Sequence, residues 1–494
     1  MRYPTFIWVG LSAAMCMAQQ PFGLDTTFRT TIASERISSL LPLPDGRILV
    51  SGKFEYPGAQ IDLGVGRLNA NGTWDESYLA NNWGQSQLVQ WEDKVYTGLT
   101  GGVRRLFANG DRDWSFYMEG EPLFSSGQLG NYHVYPDGRV LICGDHLLSD
   151  TVRGFVGYHQ LIWFTNTGRL DTTRTHRACD GFIYRIFPLP DGKFLLSGSW
   201  TAYDGHPTPN STRLIRVFAD GSLDTTFQAP FDFGRPSFHL PLADGKHLVS
   251  GIFGFTNDED TLQIARLLPD GALDSSFVFD HQLLRTYDND PPFTSIITIA
   301  PIGPDRYAVT GSFTRFDGEP RGGIAALDTS GHLLDDVFGS GGCGVWNDGF
   351  QDQAFIWALV PAPDGSYYVH GSYHGYDDGV VNDTAQRMVS RLYALDVGVP
   401  ELPLVRPVRG HVRIQPNPAE SYTTITYALP VQAWGERASI VVRDMMGKEQ
   451  RRFVLAAAEG QLLWDTRGTA PGTYTVELVQ SGARLATERV VVKP

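Results

Sequence analysis

Short segments in which apolar and polar residues alternate recur along the first 397 residues, and Asp-Gly or Asn-Gly pairs separate them. In the first clear copy, Asp45-Gly46 precedes an apolar-rich run that ends at Ser51-Gly52. An Asp-Gly pair between two such runs predicts a tight hairpin, because glycine accepts the positive φ that short turns require. The pattern predicts an all-β fold.

Two motifs alternate along this part of the chain. The first is an Asp-Gly pair, usually directly after proline, followed by a β-type run ending in Ser-Gly or a similar pair. Its clearer copies cover residues 45–52, 137–144, 191–198, 244–251 and 364–371, with weaker ones at 92–98 and 304–311. The second is Gly-x-Leu-Asp-x-x-Phe, clearest at residues 221–227 and 271–277, shortened around Asp25, and degenerate around Asp75, Asp113, Asp171 and Asp335. Each motif therefore occurs seven times.

One repeat of about 50 residues contains two hairpins, which predict four short strands. A four-stranded sheet cannot bury both of its faces alone, so the repeats must stack, and seven copies predict a seven-bladed β-propeller over residues 19–397. The last repeat ends without its own Leu-Asp-x-x-Phe strand, whereas the chain begins with one at Leu24. We expect that strand to close the ring. An open β-solenoid is the alternative.

Both repeat motifs have structural interpretations. The aspartates, including Asp25, Asp171, Asp224 and Asp274, recur in every repeat, whereas an active site needs a single constellation, so we expect them to hydrogen-bond a turn or a neighbouring backbone. The Ser-Gly glycines are expected to permit close packing between blades. The paired motifs resemble the delta-60 repeat of secreted bacterial proteins over residues 22–397, which implies a propeller-like architecture and no shared catalytic residues.

A different pattern begins after a Pro-rich linker at residues 398–410. Four alternating segments between residues 411 and 494 predict a small β-sandwich. Three short motifs lie within it, formed by Pro416-Asn417-Pro418, Asp444 with Gly447, and Pro471-Gly472 followed by Tyr474.

These three motifs resemble the type A sorting domain of the type IX secretion system. The resemblance implies passage across the outer membrane of a Bacteroidota-type cell, with the type IX machinery as a partner. It also implies removal of the domain, followed by release of the cargo or its attachment to surface lipopolysaccharide. A sandwich used for binding or spacing is the alternative.

The N-terminus carries a predicted signal peptide, residues 1–18. Arg2 supplies a positive charge, residues 6–15 are apolar, and small residues precede a cleavage site between Ala18 and Gln19. The apolar run is shorter than the roughly 20 residues that a membrane span needs, and no later run is long enough. A lipoprotein anchored at Cys16 is the alternative. We expect a secreted or cell-surface protein without a transmembrane segment.

Charge excludes one class of partner. Residues 411–494 contain 10 basic and 8 acidic residues, so the first 410 residues contain the other 30 basic and 46 acidic ones and carry a net charge of −16. A surface that acidic repels phosphate backbones, so nucleic-acid binding is not expected. Three widely spaced cysteines remain after the predicted cleavage, which indicates neither a disulfide framework nor a zinc site.

The longer connections opposite the Asp-Gly turns are the candidate ligand-binding loops. They combine aromatic, acidic and histidine residues that suit sugars or Ca²⁺, although acidic loops also serve solubility alone. The candidates are Trp200, Tyr203, Asp204, His206, Tyr287, Asp288, Tyr373, His374, Tyr376 and Asp377. No cofactor is predicted beyond the possibility of Ca²⁺.

No catalytic motif is present in the sequence. The leading hypothesis is a non-enzymatic, exported propeller that binds a glycan or a protein partner. A secreted glycoside hydrolase or lyase is the first alternative and would need two carboxylates facing one cleft. A purely structural surface spacer is the second.

Overall fold

The computed structural model describes residues 22–56, 62–208, 213–255, 261–285, 294–347, 349, 351–393, 411–429, 438–445, 447–455, 459–480 and 483–493. The described residues divide into two compact units, an N-terminal unit within Met1–Val397 and a C-terminal unit within Gly398–Pro494. The predicted signal peptide with its Ala18–Gln19 cleavage site, the linker at 398–410, and the loop residues Tyr287 and Asp288 lie outside the described residues.

Seven principal antiparallel sheets follow one another in the described part of the N-terminal unit, and we number them sheet 1 to sheet 7. Sheet 1 contains β1 Ala33–Pro42, β2 Ile48–Glu55 and β3 Leu63–Leu68, and sheet 2 contains β4 Leu88–Trp91, β5 Lys94–Leu99 and β6 Gly102–Phe107. Sheet 3 contains β7 Phe124–Val134, β8 Val140–Asp150 and β9 Phe155–Phe164, and sheet 4 contains β10 Phe182–Pro188, β11 Phe194–Ser199 and β14 Leu214–Val217. A 3-10 turn, Met118–Gly120, precedes sheet 3.

Sheets 5 to 7 repeat this plan. Sheet 5 contains β15 Phe233–Pro241, β16 His247–Gly254 and β17 Leu262–Leu267. Sheet 6 contains β19 Ser295–Pro301, β20 Arg306–Ser312, β23 Ile324–Asp328 and β24 Leu333–Leu334. Sheet 7 contains β25 Gly342–Cys343, β28 Phe355–Pro361, β29 Tyr367–Asp377 and β30 Asn382–Leu392. Three short antiparallel ribbons lie in the described loops. The first pairs β12 Ala202–Tyr203 with β13 His206–Pro207, and the second pairs β21 Arg315–Phe316 with both β18 Leu283–Leu284 and β22 Glu319–Pro320. The third pairs β26 Trp346–Asn347 with β27 Asp352–Gln353.

The sheets form a closed ring. Each sheet contacts the next, and sheet 1 packs against sheet 7, where Tyr368 and Val389 share a hydrophobic cluster with Ile37 of β1. The chain start completes sheet 7, because Leu24 bridges to Leu392. A ring of antiparallel sheets around a central channel is a β-propeller.

The repeated aspartate holds successive repeats together. Asp224 Oδ1 accepts hydrogen bonds from the amide (3.1 Å) and hydroxyl (2.6 Å) of Thr226, which confirms the predicted role in a turn. Its Oδ2 accepts a hydrogen bond from Arg216 Nε at 2.7 Å, and Arg216 Nη1 donates to the carbonyl of Pro269 in the next repeat at 2.6 Å.

The same arginine, eight residues before the aspartate, recurs around the ring. Its guanidinium also lies about 5 Å from the centre of the aromatic ring at the end of the motif. The pairs are Arg67 with Asp75, Arg105 with Asp113, Arg216 with Asp224, and Arg266 with Asp274. The degenerate Asp335 departs from the pattern, because its exposed side chain pairs with Arg321 instead.

The Ser-Gly glycines serve the sheet itself, and the expectation that they permit packing between blades is wrong for most of them. Gly311 pairs with Ile296, directly before a β-bulge in the first strand of sheet 6. A Cβ on Gly311 would lie 2.0 Å from the carbonyl oxygen of Ser295. The same approach to the first strand of their own sheet occurs at Gly52, Gly144, Gly198, Gly251 and Gly371.

Replacing Gly311 by alanine is therefore expected to lower the free energy of unfolding by about 2–4 kcal/mol, because the backbone must shift to admit the methyl group. Urea denaturation followed by tryptophan fluorescence measures the change. Gly101→Ala is the control, since a Cβ there meets nothing within 4 Å. Equal losses of stability in the two variants would contradict the steric explanation.

The C-terminal unit consists of two sheets on one shared core. Buried Ile425, Val442, Trp464 and Val476 come from both sheets, which makes the unit a β-sandwich. The strands are β31 His411–Gln415, β32 Tyr422–Ala428 and β35 Glu459–Asp465 in one sheet, and β34 Glu449–Val454, β33 Ala438–Asp444, β36 Gly472–Gln480 and β37 Ala483–Val492 in the other.

Candidate functional site

Residues of β1, β7, β10, β15, β19 and β28, together with residues 85–87 just before β4, line a central channel with a volume of about 990 Å³. Most of these strands contain a β-bulge, seen as a register shift in the pairing with the second strand. A bulge adds an unpaired residue and redirects a side chain. Residues at the bulges line the channel, namely Ser38, Asn131, Ser237, Ile297 and Trp357.

The charged side chains of the channel wall are basic. Arg36, Arg185 and Arg235 line it, and the described residues of the wall contain no aspartate or glutamate. Arg36 lies 3.5 Å from the carboxylate of the adjacent Glu35. His370 Nδ1 donates to the carbonyl oxygen of Ile37 at 2.9 Å, and burial lowers the pKa of the ring to about 4, so it is neutral near pH 7.

Arg185 and Arg235 differ from the repeated arginines of the ring. Within the described residues, the Arg185 guanidinium donates a long hydrogen bond of 3.4 Å to the carbonyl oxygen of Tyr184. Burial lowers the pKa of Arg185, and the like charge of Arg235 lowers it further. The guanidinium of Arg235 lies 3.7 Å from the centre of the Tyr184 ring.

Sequence reasoning missed these channel residues, although the sequence contains a signal for them. The bulge residue lies seven positions before the aspartate of the Asp-Gly turn in four repeats. These positions are Ser38, Tyr184, Ser237 and Trp357. Aligning the repeats on their turns would therefore have identified the channel wall, once the first strand was known to be the innermost.

The aromatic residues chosen from the loops belong to the core, which corrects their expected role as ligand contacts. Trp200, Tyr203, Tyr373 and Tyr376 are all at most 3% exposed. The Tyr203 hydroxyl donates to the carbonyl of Gly221 at 2.7 Å. In this arrangement none of these four rings offers a face to a ligand.

The polar residues of the same loops are more accessible. Asp204 forms an ion pair with Arg177 at 2.6 Å, and His206 is exposed. The His374 ring stacks on Trp346 at 4.8 Å between centroids, and burial lowers its pKa. Asp377 accepts a hydrogen bond from the amide of Gly379 within a turn. These residues belong to the regions of sheets 4 and 7, which are not neighbours in the ring.

Neither a metal cluster nor a spanning helix occurs in the part of the chain that the structure describes. No group of three or more His, Cys, Asp or Glu side chains there could hold a metal ion. The acidic run Asp258-Glu259-Asp260 lies outside the described residues, and Ca²⁺ binding stays a prediction. No described helix is both long and apolar enough to cross a membrane.

The residues of the three predicted sorting motifs lie in turns, connections and strand ends of the C-terminal sandwich. Asn417, between cis-Pro416 and cis-Pro418, donates to the carbonyl of Arg489 at 2.7 Å and accepts from the amide of Val491 at 3.0 Å. The first motif is thereby attached to the last strand, β37.

The other two motifs form turns of the same sandwich. Asp444 accepts a backbone hydrogen bond from Gly447, whose φ of +79° favours glycine. Tyr474, which follows Pro471-Gly472 in the chain, donates to the carbonyl of Ala470 at 2.7 Å, and its ring packs edge-on against Trp464.

Comparisons with known proteins agree with the fold. Residues 43–78, 189–227 and 242–277, together less than a quarter of the chain, match a family model described as "Domain of unknown function (DUF5122) beta-propeller". No curated protein matches the sequence.

Similar solved structures are distant in sequence. One is PorZ, a surface component of the type-IX secretion system of Porphyromonas gingivalis, at 12% identity and a TM-score of 0.36. The similarity covers 96% of this chain but 60% of PorZ. Another is Hsv2 of Kluyveromyces lactis, at 9% identity and a TM-score of 0.28, with coverages of 74% and 98%. A third is a protein of unknown function from Bacteroides caccae, at 16% identity and a TM-score of 0.23, with coverages of 39% and 66%.

Proposed function

We propose that this chain is an exported, non-enzymatic, seven-bladed β-propeller that binds a glycan or protein partner at the cell surface or after release. The observation that carries the proposal is the central channel. It has a volume of about 990 Å³, near the upper end of the roughly 300–1,000 Å³ typical of ligand sites, and hydroxyl, amide, aromatic and guanidinium groups line it.

The composition of the channel wall favours binding over glycosidic hydrolysis. Hydrolysis of this kind ordinarily uses two carboxylates on opposite sides of the scissile bond. The described wall supplies no carboxylate, whereas Trp357, Ser237 and Asn131 offer a ring face and hydrogen-bonding groups. Sugars are bound by such a combination of stacking and hydrogen bonds.

Export is the second part of the proposal. The predicted signal peptide over residues 1–18 and the motif-bearing sandwich at residues 411–494 support passage through the type IX secretion machinery. In a bacterium with that machinery, mass spectrometry of the secreted protein should show the loss of residues beyond about 410. Intact C-termini on all secreted molecules would contradict processing of the sandwich.

Screening the whole chain on a glycan array and in pull-downs with outer-membrane material tests the binding function. We expect a saturable ligand whose binding is abolished by Ser237→Trp, which would place a bulky ring in the channel beside the ligand. The control Thr225→Trp places the same ring at an exposed turn position outside the channel wall. Unchanged binding in Ser237→Trp would place the ligand elsewhere. Turnover of a bound glycan would indicate the hydrolase or lyase alternative instead.

A further inference from the structure

The sign of charge in the channel is opposite to that of the unit around it. The first 410 residues carry 46 acidic and 30 basic residues. The channel wall nevertheless presents Arg36, Arg185 and Arg235, and no carboxylate among its described residues. A cleft of one sign with low-dielectric walls concentrates ions of the other sign, so the channel attracts anions that the outer surface repels.

Two of these arginines lack a carboxylate partner within the described chain. Arg185 is partly buried and makes its 3.4 Å contact with the carbonyl of Tyr184, while Arg235 stacks on the Tyr184 ring. Removing a guanidinium from water without a counter-charge is unfavourable, and a bound anion would offset that cost. Arg216, by contrast, already has its carboxylate partner in Asp224.

The stacked geometry suits a planar or multi-oxygen anion. The guanidinium carbon of Arg235 lies over the Tyr184 ring, 3.7 Å from its centre. A guanidinium packed on an aromatic face can still donate hydrogen bonds from the N–H groups in its own plane. A guanidinium held in this way donates two parallel hydrogen bonds to a carboxylate, sulfate or phosphate. Tyr184 stands at the bulge of β10, so the bulge positions the ring that orients Arg235.

The other residues of the channel wall indicate which kind of molecule bears the anionic group. A channel of about 990 Å³ is much larger than an inorganic ion, and Trp357 presents a partly exposed ring beside hydroxyl and amide groups from Ser38, Ser237 and Asn131. Rings and hydroxyl partners suit sugar units, while the guanidinium groups suit their acidic substituents. A long polyanion would meet the acidic exterior, whereas a short segment enters the channel.

We infer that the channel binds an anionic saccharide, in which a carboxylate or sulfate group is held by Arg185 and Arg235 and a sugar ring packs near Trp357. This inference rests on the proposed binding function and names the ligand class of the same site. Carboxylated and sulfated sugars share the anionic oxygens that the guanidinium groups recognise, and separate probes distinguish them.

Isothermal titration calorimetry on the full chain tests the inference with matched probes. The charged probes are tetragalacturonate and sulfated maltotetraose, and the neutral partners are methyl-esterified tetragalacturonate and maltotetraose. We expect at least one charged probe to bind about tenfold or more tightly than its neutral partner, with an affinity that falls as salt is added.

Substitutions of Arg185 and Arg235 test whether these two side chains contact the charged group of the probe. Arg235→Gln and Arg185→Gln should each weaken binding of the charged probe about tenfold or more, while Arg235→Lys should recover part of the loss. Arg235 is exposed within the channel, so its variant remains informative if Arg185→Gln fails to fold. Arg315→Gln, an exposed arginine outside the channel wall, is the matched control and should bind as the unaltered protein does.

The outcomes separate this inference from the proposed function. Equal binding of charged and neutral probes, abolished by Ser237→Trp, would overturn the anionic assignment and leave the glycan-binding function intact. Binding of inorganic sulfate as tight as that of the sulfated sugar would overturn the saccharide assignment. Failure of all four probes to bind would overturn the inference, and failure of the array and pull-down screens as well would overturn the proposed function.

Discussion

Replacing Asp224 by alanine is expected to lower the free energy of unfolding by about 3–5 kcal/mol. The carboxylate is almost fully buried, with 1% of its side chain exposed, and it accepts hydrogen bonds from Thr226, Arg216 and Lys193. The substitution leaves the largely buried Arg216 without its counter-charge and weakens the bond from Arg216 to the carbonyl of Pro269 in the next repeat. Urea denaturation followed by tryptophan fluorescence measures the loss.

Asp220→Ala is the matched control for this experiment. Asp220 lies four residues earlier and accepts hydrogen bonds from Ser222 at its i+2 position, as Asp224 does from Thr226, but 63% of the Asp220 side chain is exposed. An exposed turn aspartate contributes about 1 kcal/mol or less. If the two variants lost the same stability, the link between repeats through Arg216 would not be the reason for the motif.

The same aspartates predict how stability depends on pH. Burial alone would raise the pKa values of Asp75 and Asp113, but hydrogen bonds from the following serines and from the paired arginines outweigh it and lower both to about 2. A pKa lowered in the folded state contributes stability above the unfolded value of about 3.8, and that stability is lost as pH falls from about 4 to about 2. The difference between the unaltered protein and Asp113→Ala should therefore shrink over this range.

Deleting residues 1–28 is expected to destabilise the propeller by about 8 kcal/mol or more, which approaches the whole stability of a typical domain. The deletion removes three buried side chains, Phe22, Leu24 and Phe28, from the junction of the ring. It also removes Asp25, which pairs with Arg391 at 3.1 Å. Thermal unfolding and limited proteolysis of the purified chain measure the effect.

Two variants show whether ring closure is the cause. Deletion of residues 1–18, the predicted signal peptide, retains the closing strand and should leave the melting temperature unchanged. Asp25→Ala retains the strand but removes the ion pair across the closure, and it should cost less than Asp224→Ala because Arg391 keeps its ion pair with Asp364. A 1–28 deletion as stable as the 1–18 deletion would show that the ring does not depend on this strand.

Local chemistry made much of the fold predictable. Asp-Gly turns such as those at Asp45 and Asp244 mark hairpins because few other residue pairs adopt their backbone angles, so the order of strands follows from the turns alone. The role of the repeated aspartate in a turn was predictable for the same reason, since it contacts a residue two positions away. The arginine eight residues before it was overlooked, although its spacing is as regular as the turns.

The candidate site was much less predictable. Trp200 and Tyr373 occur in loop sequences beside acids, which suggested ligand contacts, yet packing against neighbouring sheets buries both. A sequence shows that an aromatic residue lies in a connection, but the surroundings of its ring depend on residues far away in the chain. Arg235 shows the reverse case, because it lies within a strand, in register with Ile252, and nevertheless lines the channel together with residues of distant sheets.

The sequence by itself determined the all-β class, the repeat, the turns and the strand at Leu24 that completes the last sheet, because each depends on contacts between near neighbours or on a period. Tertiary structure decided which strand of each repeat is innermost, and therefore that Arg185, Arg235 and Trp357 share one channel although more than 170 positions separate the first from the last. The physical reason is closure of the ring, which brings seven distant segments onto a common axis.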